Sequence, residues 1–151
     1  MLLQVPAIPS DEILLRTLLE PTWVRNGKPH ATAFLLRESD GNQLSVLFNK
    51  AEAARRFQRY IFGFLDVSVG RVRDLRRWNL DILQDPADPD HAYITGLPSE
   101  FGIYSLMTDR KKYIFEMRRQ MLLAADDIAD HAASINEYSP AGFDPVELLS
   151  R

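Results

Sequence analysis

The residue pattern predicts an α+β fold: an antiparallel or mixed sheet of four to six short strands, one packed helix and a long C-terminal helix. Three observations carry that expectation. Leu44, Val46 and Phe48 fall on alternate positions, the period of a strand. From Asn49 onward apolar residues recur three or four apart, the period of a helix. A second helical stripe, Ile114, Met117, Met121, Ala125, Ile128 and Ala132, follows a start signal at Thr108-Asp109.

The elements follow in order. Ser10-Asp11-Glu12 has the grammar of a helix start, because Ser10 can cap and two acids suit the positive end of a helix dipole. Ile13, Leu14, Leu18 and Leu19 then repeat at helical spacing, and Pro21 closes the run. The same residues also suit a strand, so the setting of Arg16 stays open between the two. Asn26-Gly27-Lys28-Pro29 is a turn. Residues 31–36 read as a strand, and Ser39-Asp40-Gly41-Asn42 supplies hairpin chemistry before the strand at 44–48. So short a connection makes those two strands antiparallel neighbours.

Asn49 caps a helix that buries Ala53, Ala54, Phe57, Tyr60, Ile61 and Phe64 and ends at Gly63. Val67 and Val69 suggest a short strand, and residues 70–75 a turn of helix. Leu80 and Ile82 belong to another strand, ended by Asp85-Pro86, and residues 91–95 form the last one. Pro140, Gly142 and Pro145 mark residues 138–151 as a flexible tail, which leaves one domain over residues 1–137.

Composition bounds the function. A chain of 151 residues with 46% apolar and 26% charged side chains can bury a core without staples. Its net charge of −3 argues against bulk attraction to nucleic acid or an anionic membrane. It has no cysteine, which excludes disulfides, thiolate metal sites and cysteine nucleophiles. The apolar start lacks a basic segment and carries Pro6 and Pro9, and no later run approaches the ~20 residues that span a bilayer. A cytoplasmic, soluble protein is the expectation.

The strictest local grammar lies in residues 85–98, where an acidic, proline-punctuated loop runs into His91, a short strand and Gly96-Leu97-Pro98. A carboxylate beside His91 would fit it for acid–base work; the plainer role is fixing the loop. Arg16, a charge within an apolar run, suits either a phosphate or carboxylate clamp or a structural ion pair. Asp127 and His131 share a helix face but supply two metal ligands where a catalytic centre needs three, so no metal is expected. Two basic stretches, 71–77 and 110–119, carry Trp78 and Tyr113 but are interrupted by Asp74, Asp109 and Glu116, which disfavours nucleic-acid binding. No glycine-rich phosphate loop precedes a Lys-Ser/Thr pair, and there is no Gly-x-Ser-x-Gly elbow. Ser45 lies in a strand pattern without a sequence-local partner, so a hydrolase is disfavoured too.

Three blocks resemble a family of small uncharacterised bacterial proteins: Leu14-Leu15-Arg16 with Trp23; Ala31-Thr32-Ala33-Phe34 with Leu44-Ser45-Val46; and Val72-Arg73-Asp74-Leu75 with Asp85-Pro86 and residues 91–96. That resemblance carries no established activity. The order Arg16, then Thr32-Ala33-Phe34, is also similar to ADP-ribosyltransferase-like folds of the RES type, whose late glutamate falls only loosely at Glu100. This second similarity implies a small enzyme using NAD, with Arg16, Thr32 and His91 converging on one pocket. The leading expectation is a non-catalytic binding or regulatory module of a bacterial accessory system, acting through protein contacts. No cofactor is named by the sequence. The C-terminal stripe is too long for so small a sheet to cover, which points to a homodimer through that helix.

Overall fold

The computed structural model describes residues 7–100 and 110–151. In chain order the elements are β1 (Ile13–Leu18), β2 (Val24–Arg25), β3 (Lys28–Pro29), β4 (Leu44–Leu47), α1 (Lys50–Arg56), β5 (Ile61–Ser68), α2 (Val69–Arg73), β6 (Asp81–Gln84), β7 (His91–Thr95), α3 (Arg110–His131), β8 (Ala133–Phe143) and α4 (Pro145–Leu149). Six strands form one antiparallel sheet in the order β6-β7-β4-β1-β5-β8, and β2 and β3 form a small ribbon. The α+β class holds. No helix among the described residues is long and apolar enough to cross a membrane.

Strand alternation gives the sheet two buried faces. One carries Leu14, Leu18, Leu44, Val46, Leu65, Val67, Ile82, Ala92 and Ile94 and is covered by α3 through Met121, Ala124, Ala125 and Ile128. The other carries Leu15, Leu47 and Phe64 and packs on Ala53 and Ala54 of α1 and Leu148 of α4. Because β1 lies inside the sheet and is covered on both sides, its sequence is a near-continuous apolar run without clean alternation. That is why residues 13–19 also fit a helix. They are a strand, and Arg16 lies on it.

Several expectations need correction. Residues 31–36 are no strand: Ala31–Phe34 is a 3₁₀ turn whose start is capped by the imidazole of His30, which accepts the Thr32 amide at 3.2 Å. The hairpin drawn between 31–36 and 44–48 therefore does not exist; the neighbours of β4 are β1 and β7. Asn49 caps α1 as expected, but the helix ends at Arg56, and Ile61 and Phe64 belong to β5. Gly63 sits within that strand, where it lets β8 approach. Residues 138–151 are not a tail, because β8 pairs with β5 as far as Phe143 and α4 buries Leu148. The helix start at Thr108-Asp109 and residues 1–6 lie outside the described residues.

Candidate functional site

The site grows from the hairpin β6–β7. Its loop, residues 85–90, is closed by side chains rather than by glycine. Asp85 Oδ1 accepts the Ala87 amide at 2.8 Å and Asp88 Oδ1 the Asp90 amide at 3.0 Å, two Asx turns in succession. Gln84 Nε2 donates to the carbonyls of Asp88 and His91, both at 3.0 Å. Arg56 at the end of α1 pairs with Asp88 and lies 3.4 Å from Glu52. The loop is thus fastened to α1 as well as to itself.

His91 opens β7 from this rigid base. Register places it opposite Leu47 and places Tyr93 opposite Ser45, so Ser45 and His91 are diagonal neighbours on one face of the sheet. Ser45 Oγ lies 2.7 Å from His91 Nε2, and His91 Nδ1 lies 2.8 Å from Asp85 Oδ2. The hydrogen bond from His91, followed by that from the Ala87 amide, holds the Asp85 carboxyl below the usual aspartate range. An ionised carboxylate only accepts, so Nδ1 carries a proton, and in the neutral imidazole Nε2 then presents its lone pair to the Ser45 hydroxyl. The chain of bonds runs Ser45 O–H to His91 and His91 N–H to Asp85. His91 and Asp85 keep 16% and 25% of their side-chain surface exposed, which puts the relay near the surface but partly out of water.

Arg16 occupies the other face. Its neighbours along β1, Leu14 and Leu18, point into the α3 core, and the guanidinium follows them. Nε donates to the Ala33 carbonyl at 2.8 Å and Nη1 to the Ser45 carbonyl at 2.9 Å, with the Trp23 ring 5.3 Å away. Burial, opposed by Asp40 and aided by Arg37, pushes its pKa down to about 10, which leaves it charged at neutral pH. Thr32, in the 3₁₀ turn, is tied to His30, with 2.9 Å between Oγ1 and Nδ1.

The three residues expected to share an NAD pocket do not all converge: Arg16 reaches the turn that carries Thr32, through the Ala33 carbonyl, but not His91. His91 projects from the face opposite Arg16, and Thr32 is engaged locally. Ser45, set aside for want of a nearby partner, has one 46 residues along the chain. The signal was present in two strands already legible, 44–48 and 91–95, but their pairing is a tertiary fact. Asp127 accepts the Trp78 indole N–H at 2.7 Å and so serves packing. Much of the basic charge is paired within the chain: Arg73 with Asp81, Arg118 with Glu100 and Arg119 with Glu116. Comparison with protein-family models, curated proteins and solved structures finds no match for this chain.

Proposed function

We propose that the chain is a small serine-dependent acyl-transfer enzyme, a hydrolase when water is the acceptor. The observation that supports this is the relay itself: serine hydroxyl to Nε2, Nδ1 to carboxylate, with the tautomer fixed by an ionised Asp85. Ser45 Oγ attacks the carbonyl carbon of an ester while its proton passes to His91 Nε2. His91 returns that proton to the leaving alkoxide. Water, deprotonated by the same nitrogen, then cleaves the acyl-serine and regenerates the hydroxyl. Asp85 stays ionised throughout and stabilises the imidazolium.

The test is a fluorophosphonate probe with mass spectrometry, alongside release of p-nitrophenol from its acetate ester. A single adduct on Ser45 is expected. His91→Ala should slow both reactions about 10²- to 10⁴-fold, the usual worth of a general base. A probe that leaves Ser45 unmodified would reduce the relay to a lock between the loop and β4.

A second reading rests on a separate observation. On α3, Phe115 and Leu122 stand a heptad apart with 71% and 47% of their surface exposed. Under this reading the helix pairs with a second copy or another protein, and the chain works as a binding or regulatory module through that contact.

A further inference from the structure

The core holds a charge with no ion-pair partner among the described residues, although Asp40 favours it from farther off. Arg16 is only 5% exposed, yet both of its hydrogen bonds go to neutral carbonyls. Among the described residues no carboxylate forms an ion pair with it. A second cation, Arg37, lies 5.7 Å from the same Trp23 ring. Buried charges are ordinarily paired, because an unpaired one forfeits its hydration without recovering it. One of the two carbonyls belongs to Ser45. The guanidinium is therefore held against the backbone of the residue whose hydroxyl, on the other side of the strand, feeds the relay.

We infer that Arg16 is a positioning and electrostatic residue for Ser45, its buried charge stabilising the negative charge that develops on the serine side of the strand during attack. The inference rests on the reading of Ser45 as a nucleophile. Its physical basis is that a fixed charge in a water-poor interior acts strongly over short distances and needs no reorganisation when the reaction occurs. Holding the carbonyl also fixes the plane of the Ser45 peptide, and with it the direction of the hydroxyl toward His91. Asp40 and Arg37 modulate the same field, since both act on the Arg16 guanidinium with opposite sign.

The experiment follows the rate of Ser45 modification by the fluorophosphonate probe as a function of pH, with melting temperature recorded for every variant. Arg16→Met should slow labelling about 10-fold, the lost attraction for the developing oxyanion being partly offset by relief of repulsion on the His91 imidazolium. Arg16→Lys, which keeps the charge, should recover most of the rate. Asp40→Asn should speed labelling and Arg37→Ala should slow it, each by about two- to fivefold, with both effects shrinking in salt. Arg16→Gln, which keeps donors for the two carbonyls without the charge, takes the place of Arg16→Met if that variant does not fold. No adduct on wild-type Ser45 would overturn the nucleophile reading. An adduct whose rate and pH profile ignore all four substitutions would overturn the role of Arg16 alone.

Discussion

Asp85 does two jobs with one carboxylate, Oδ1 closing the loop and Oδ2 holding the imidazole. Both bonds favour the ionised form, so its folded-state pKa lies below the unfolded value, the hydrogen bond from His91 being the larger cause. The sign of the linkage follows. The stability this group contributes is fully present above the ordinary aspartate range and is lost as pH falls through the depressed value. Urea unfolding of wild type and Asp85→Asn should therefore differ at pH 6 and converge well below the aspartate range; a gap that persists in acid would place the effect elsewhere. His91 was legible from local grammar alone, because two Asp-Pro pairs and a following strand mark its position. Ser45 was not, since β4–β7 register, rather than any local motif, makes the two neighbours.

Among the elements, legibility tracked burial. The strand at 91–95 alternates because its two faces differ, and its bounds coincide with β7. The cap of α1 was read from Asn49, whose side chain accepts the Glu52 amide at 2.9 Å. Its end was missed because Ile61 and Phe64 continue the helical spacing by coincidence and Gly63 resembles a stop. That glycine serves a different need. It adopts φ +140° in β5, and a Cβ there would lie 1.9 Å from the Glu137 carbonyl oxygen of β8, beside a shift in strand register. Gly63→Ala should cost more than about 2 kcal/mol by urea denaturation, through backbone strain and the forced separation of the two strands. Gly41 is the control: its φ is +60° but nothing lies within 4 Å of an added Cβ. Alanine there should cost only about 1 kcal/mol of left-handed strain. Equal losses at the two sites would mean that the approach of β8 is not what Gly63 permits.

At the scale of the whole molecule, topology was the least legible feature. The last strand returns to pair with β5, and the Tyr138 hydroxyl donates to the Pro21 carbonyl 117 residues away at 3.0 Å. Nothing periodic announces such closure. The C-terminal stripe was legible, and its second half is buried as expected through Met121, Ala125, Ile128 and Ala132. Another side of α3 leaves Phe115 and Leu122 exposed, with Lys111 and Lys112 near the helix start, Arg118 and Arg119 near its middle, and Asp126 and Asp130 toward its end. A two-fold axis crossing α3 midway between Phe115 and Leu122 would set each of these on the other in a second copy, and Lys111 on Asp126. Such an antiparallel pairing is self-complementary in apolar surface, while Arg118 of each copy faces Arg119 of the other at the axis, each held within its own chain by Glu100 or Glu116. Light scattering should then give twice 17.3 kDa for the wild type. Phe115→Glu combined with Leu122→Glu should give a monomer of nearly unchanged melting temperature, because exposed side chains away from special features contribute only about 0.5 kcal/mol. A wild type that stays at 17.3 kDa across concentration and salt would end the pairing and leave the exposed stripe for a different protein.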